Sequence, residues 1–261
     1  MKKNILVPAL LFAFAGTLFF TSCDLDLDDV DTKPAESALE VLKTFSDVIL
    51  VVDDGLHVDT ATGNKRLLGK SYEETISGEY PTQLRTWDFG DFGDLQGIIN
   101  ILLTDDYRNP MAVANVTFEN FTYKGRKVDG MLSLENLGAN DQEQDEYNVE
   151  LMSARVGSNV LTAGWMLQRT EGGITPDQED DRFTITQLQE PASGVTEEGV
   201  EFTLDIQKGL FLDLSCEFVI TKGLFEMLFE GSVLRADFGQ GECDGRVRVS
   251  DGKVSADIYI K

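Results

Sequence analysis

Read by its apolar and polar positions, the chain falls into three parts. An apolar run from Ile5 to Phe20 is interrupted only by Pro8, Gly16 and Thr17, and an acidic stretch, "DLDLDDVD" from Asp24, follows it. In "PAESALEVLKTFSDVILVVDDG" the residues Ala38, Leu42, Phe45, Ile49 and Val52 recur at three- and four-residue steps, with Pro34 near the start and Gly55 just beyond the helix as its stop. This spacing predicts one N-terminal amphipathic helix over about 36–53, its last turns weakened by the β-branched Val48, Ile49, Val51 and Val52. From Tyr80 onward, short Val-, Ile-, Phe- and Thr-rich runs alternate with Gly, Asn and Asp. That punctuation predicts a mostly β fold, an antiparallel β-sheet or sandwich-like body against which the helix packs.

Two hairpins are explicit. In "CDGRVRVSDGKVSADIYIK" Val247 and Val249 alternate with polar residues before Asp251-Gly252, and Val254, Ala256, Ile258 and Ile260 alternate after it; Asp-Gly between alternating runs is a strong turn signal. "VTFENFTYKGRKVDGMLSLENL" turns at Lys124-Gly125, and because Phe118 and Phe121 are out of phase it predicts a bulge. The polar stretches "GANDQEQDEYN" from Gly138 and "EPASGVTEEG" from Glu190 read as loops, and no Pro- or Ser-rich hinge divides the body. An internal echo, "DFGDFGDLQG" at Asp88 and "DFGQGECDG" at Asp237, suggests two related β units over about 80–137 and 200–261.

The N-terminal boundary decides the expected location. Lys2 and Lys3 ahead of an apolar segment shorter than a spanning helix needs form a signal-peptide layout over residues 1–22, and Thr21 and Ser22 lead into Cys23. This resembles the lipobox of bacterial lipoproteins, although Phe20 stands where Leu, Val or Ile is usual. The resemblance implies cleavage before Cys23 and lipidation there, with membrane attachment through acyl chains, in place of an uncleaved anchor. The acids that follow make 23–34 a solvated tether. They are similar to the surface-export signals of Bacteroidota, which implies an outer-membrane lipoprotein exposed on the cell surface. A calcium loop in the same run lacks the turn glycine that such a loop requires.

Charge and cysteine count refine this picture. The 261 residues carry a formal charge of −24, which becomes −26 once residues 1–22 are removed. That acidity argues against a nucleic-acid partner. With 42% apolar residues the chain can still build a core. Of three cysteines, Cys23 belongs to the lipid and leaves Cys216 and Cys243 as an even pair. In an oxidising compartment a Cys216–Cys243 disulfide closes a loop of about 28 residues, contributing about 3.6 kcal/mol in the chain-entropy picture. The alternatives are two buried free thiols, or a zinc site short of ligands.

The stretches from "YPTQLRTWDFG" through "MLSL", "GWMLQRTEGGITPDQEDDRFTITQ" and the terminal "ADFGQGECDGRVRVSDGKVSADIYIK" resemble a poorly characterised family of Bacteroidota lipoproteins. In that family an Asp-Phe/Tyr-Gly turn occurs twice and the second copy includes Gly-x-Cys-Asp. This chain departs from the pattern at the first copy, where Asp94-Leu95 stands in place of a frequent cysteine. The shared motifs form turns and say little about chemistry. Gly90, Gly93, Gly239 and Gly241 fit positive-φ turn positions, and neither run opens a helix as a phosphate loop requires.

Little in the chain points to catalysis, and no catalytic, metal-ligating or cofactor-binding residue is assigned. His57 is the single histidine, which removes multi-histidine metal sites and nearly removes Ser-His-Asp mechanisms. A carboxylate pair for glycoside hydrolysis stays open among 46 acids. The runs "PDQEDDR" and "DQEQDE" read as solvated loops. Trp87, Trp165 and Tyr107 are candidates to stack on sugars if exposed, and core residues otherwise. The expectation is a lipid-anchored, surface-exposed envelope protein acting as a non-enzymatic binding or structural module, with a glycan or protein ligand and no cofactor. The alternative is a carbohydrate-active hydrolase.

Overall fold

The computed structural model describes residues 30–57, 65–67, 70–91, 93–173, 178–188, 190–216 and 219–260. Cys23, the signal segment and most of the tether lie outside the described residues. Helix α1 spans Lys33–His57. The strands are β1 (Lys65–Leu67), β2 (Lys70–Ser77), β3 (Gln83–Asp88), β4 (Leu95–Leu103), β5 (Val113–Tyr123), β6 (Arg126–Ala139), β7 (Asp145–Val156) and β8 (Asn159–Glu171), followed by β9 (Arg182–Gln187), β10 (Ala192–Val195), β11 (Glu201–Asp213), β12 (Ile220–Phe229), β13 (Ser232–Gln240), β14 (Arg246–Ser250) and β15 (Ser255–Tyr259).

These strands form one continuous antiparallel meander in which sequence neighbours are sheet neighbours from β1 to β8 and from β11 to β15. Between β8 and β11 lie β9 and β10, each pairing with both. They act as one strand broken at residues 188–191, where Pro191 has no N–H to give to a ladder. The stretch from Glu190 therefore contains a strand where composition predicts only a loop. Likewise β7 begins at Asp145, inside the polar run from Gly138, and β1 and β2 precede the predicted start of the β region at Tyr80.

The inner face of this sheet is filled by α1. Thr32 precedes the helix and its hydroxyl donates to Glu36 at 2.6 Å, Pro34 sits in the first turn, and Glu36 complements the N-terminal dipole. The helix is longer than the periodicity predicts at both ends, and every residue from Val41 to Asp53 is buried. The β-branched residues at its end are held by packing, which overrides propensity. An amphipathic stripe describes it incompletely, since Lys43, Thr44, Ser46, Asp47 and Asp53 are buried as well. Each ionic member has a partner: Lys43 Nζ lies 3.1 Å from Asp47, and the Tyr123 hydroxyl donates to Asp47 at 2.8 Å.

Gly55 lies within the helix, not beyond it. A Cβ there would overlap Cη2 of the Trp87 ring and sit 3.0 Å from Cζ2 and Cζ3. The glycine is thus the place where the helix meets the floor of β3.

Both predicted hairpins form. β5 and β6 join at Lys124-Gly125 with Tyr123 opposite Arg126 and positive φ at both turn residues, a type I′ geometry that matches strand twist. The predicted bulge is present: the β5–β6 register shifts between Thr117 and Thr122, with Asn120 at φ 49°. The bulge lets Phe121 enter the core beside Phe118, ring centroids 5.4 Å apart. The two echoes share a local geometry, since the Gly90 N–H donates to Asp88 Oδ1 at 2.8 Å and the Gly239 N–H to Asp237 Oδ1 at 2.9 Å. Phe89 and Phe238 are buried behind these turns.

Candidate functional site

A cleft of about 1060 Å³ opens where the N-terminal turns of α1 meet the rim of the sheet. One wall is β15, the last strand of the sheet path, with Asp257 to Ile260; the opposite wall is the β5–β6 turn, with Tyr123, Lys124 and Arg126. Leu39 and Ile258 give the cleft an apolar component, and Tyr259 is 63% exposed beside it. The turns fix these positions: Lys124 sits at the tip of a two-residue hairpin, and the 251–254 turn is held by Asp251 Oδ1, which accepts from the N–H groups of Lys253 and Val254 at 2.8 and 2.9 Å.

The ionic groups of the cleft hold one another. Glu40 accepts from Arg126 at 2.7 Å and from Asn159 at 2.8 Å, and Lys33 lies 3.3 Å from Glu198. Asp257 faces Arg248 at 3.1 Å. Partial burial and then the nearby Lys43 ammonium lower the Lys124 pKa. Carboxylates engaged in this way position cations.

The aromatic candidates are elsewhere. Trp87, Trp165 and Tyr107 are all at most 2% exposed, so they are core residues and offer no sugar platform. The Trp87 Nε1–H donates to Glu74 at 3.0 Å. His57 packs its ring against Tyr107 with centroids 5.3 Å apart, and its Nδ1 is 2.8 Å from the Asp53 carbonyl oxygen. Gly90, Gly93, Gly239 and Gly241 all have positive φ and serve turns. Cys216 and Cys243, 27 positions apart, stand at disulfide distance with Cα atoms 5.3 Å apart. Among the described residues no group of three or more His, Cys, Asp or Glu side chains is placed to hold a metal ion.

At the other end of the helix is a polar cluster that the sequence reading does not anticipate. Arg169 of β8 reaches Asp53 of α1 at 2.9 Å, Asp145 of β7 at 3.3 Å and Asp181, just before β9, at 3.8 Å. The Tyr107 hydroxyl donates to Asp53 at 3.3 Å, and burial, reinforced by the Asp53 charge, drives the Tyr107 and Tyr147 pKa values far upward. Arg169 also stacks over the Phe183 ring at 5.1 Å. Asp145 and Asp181 come from the runs expected to be solvated loops. That expectation is corrected for Asp181, which is buried, and in part for Asp145, whose side chain remains 35% exposed.

A signal for the cluster is present in the alternation. Leu161, Ala163, Trp165 and Leu167 are the inward positions of β8, and Arg169 continues their phase. On the helix, Asp53 continues the Phe45–Ile49 step. A charge in phase with a buried face needs an opposite charge, and three carboxylates supply it. No protein-family model, no curated protein and no solved structure matches the chain.

Proposed function

We propose that the chain is a lipid-anchored protein of the cell envelope, attached through Cys23 to the outer membrane with its body toward the exterior, and that it acts as a non-enzymatic binding module through the cleft at the helix N-terminus. The observation that carries the binding reading is where free space lies. The helix occupies the inside of the sheet, where a ligand-binding barrel keeps its cavity, and the cleft at the rim is large enough for a small ligand or a peptide segment. Its mixture of an exposed tyrosine, apolar residues and fixed cations suits recognition of a glycan or protein surface.

The anchor reading rests on the sequence boundary at Cys23. Among the described residues no helix is long and apolar enough to cross a membrane. At about 3.5 Å per extended residue, the ten positions from Cys23 to Lys33 keep this rim within roughly 35 Å of the acyl chains.

The test has two arms on the full chain. Cells expressing it are labelled with radioactive palmitate; label is expected on the wild type and absent from Cys23→Ala, and label retained by Cys23→Ala refutes the anchor. The detergent-solubilised protein is then applied to a glycan array beside Tyr259→Ala and Lys124→Glu. Binding lost in these variants is the expected result. Binding unchanged in both removes the cleft from the proposal, and release of reducing ends from arrayed glycans replaces it with the hydrolase alternative.

A further inference from the structure

The charges around Arg169 do not balance. One guanidinium faces Asp53, Asp145 and Asp181, and a buried group carrying two excess negative charges binds a proton more readily than the same carboxyls in water. The three are not equally served. Asp53 has the guanidinium at 2.9 Å and the Tyr107 hydroxyl at 3.3 Å, with His57 Nδ1 3.5 Å away. Asp145 reaches solvent along the edge of β7. Asp181 is buried, its Oδ1 accepts the Gly173 N–H at 3.1 Å, and it stands 3.8 Å from Arg169 Nε. That Nε is itself buried without a hydrogen-bond acceptor.

We propose that this cluster is a proton-operated tie between the helix and the start of β9, in which Asp181, the buried carboxyl least served by the shared guanidinium, is the group that takes up and releases the proton. Protonated, Asp181 adds no charge to a site already negative. Ionised, it is a buried carboxylate beside a guanidinium committed to Asp53, and it competes for the free Nε–H. The position matters because the Asp181 carbonyl also accepts the Leu214 N–H at 3.3 Å, so strain at Asp181 reaches β9 and the end of β11 together.

Among the described residues, the charged and titratable groups around Asp181 and the guanidinium it shares are Asp53 and His57 from α1, Tyr107 from the segment between β4 and β5, Asp145 and Tyr147 from β7, Arg169 from β8, Asp180 beside it in the chain, and Arg182 of β9, whose guanidinium donates to the Asp181 carbonyl at 2.9 Å. Burial pushes the Asp181 carboxyl up to about 6, against the opposing pull of Arg169 and the Gly173 amide. With the folded value above the unfolded one, the stability contributed by this proton is fully present below about 4 and is lost as pH rises through about 6.

The test compares unfolding of the full chain between pH 4.5 and 7.5 for wild type, Asp181→Asn and His57→Gln, the last as a control for the imidazole beside Asp53. Asp181→Asn is expected to gain on the wild type as pH rises, by at most about a hundredfold in the folding constant for a shift near two pKa units, and His57→Gln to keep the wild-type slope. Parallel curves for wild type and Asp181→Asn, or loss of the slope in His57→Gln, overturn the proposal. Should Asp181→Asn not fold, a carbon-detected titration of wild type labelled at aspartate carboxyls decides it. One aspartate with a midpoint near 6 is expected, and the absence of any midpoint above 5 refutes the tie.

Discussion

Replacing Gly55 by Ala sets two known effects against each other. In a helix interior Ala is favoured over Gly by about 1 kcal/mol, so propensity alone predicts a more stable protein. The new methyl would overlap Trp87 Cη2 and crowd two further ring carbons at 3.0 Å. The ring has little room to yield, because it is fully buried, its Nε1–H is bonded to Glu74 at 3.0 Å, and Tyr72 lies against it at 5.2 Å between centroids. Overpacking of this kind costs about 1–3 kcal/mol, and here the upper half applies because the obstacle is a rigid aromatic. The net expectation is a loss of about 1–2 kcal/mol, a fall in Tm of roughly 2–8 °C for a chain of this size. Denaturant unfolding followed by tryptophan fluorescence gives the energy, and near-UV circular dichroism reports whether Trp87 has moved. Pairing Gly55→Ala with Trp87→Leu is expected to cost less than the sum of the two, since the second change removes the obstacle. A Gly55→Ala protein as stable as wild type would refute the claim that the helix is seated on this ring.

Two further changes probe the rest of the framework. Alkylation of the unreduced protein followed by mass spectrometry is expected to leave Cys216 and Cys243 unmodified and linked, and reduction to lower stability by about 3–4 kcal/mol; two alkylated cysteines refute the bridge. Asp53→Asn leaves the buried Arg169 with one close carboxylate that is partly exposed, so a loss of about 3–5 kcal/mol is expected in denaturant titration, and a change within about 0.5 kcal/mol would show that the ion pair does not fasten the helix to β8.

How much of this is legible in the chain depends on whether a signal is local. The Lys124-Gly125 and Asp251-Gly252 hairpins, the bulge between Phe118 and Phe121 and the strand region after Tyr80 all follow from residues within a few positions of one another. Strand β2 gives no such signal: among its described side chains Tyr72 alone is buried, and its sequence lacks an apolar alternation. Gly55 reads as a helix stop because its reason, Trp87, is 32 positions away. The Arg169 cluster is assembled from residues up to 128 positions apart, and two of its acids, Asp145 and Asp181, sit in runs whose composition is that of solvated loops. Periodicity can show that Arg169 points inward; it carries no information about which acids meet it.

The enclosure of α1 also sets an order of events for the nascent chain. The helix is synthesised before the strands, yet the groups that complete it come late: Tyr107 is 54 positions after Asp53, Tyr123 is 76 after Asp47, Arg169 is 116 after Asp53 and Asn159 is 119 after Glu40. Each contact requires closure of a long loop before it returns any stabilisation, which places such a topology among slow folders. Until β8 exists, Asp53 lacks its guanidinium and the side of the helix that packs on β8 is uncovered, a state in which chains aggregate. An element made before every strand is therefore among the last to be secured, and its protection in the meantime has to come from outside the fold.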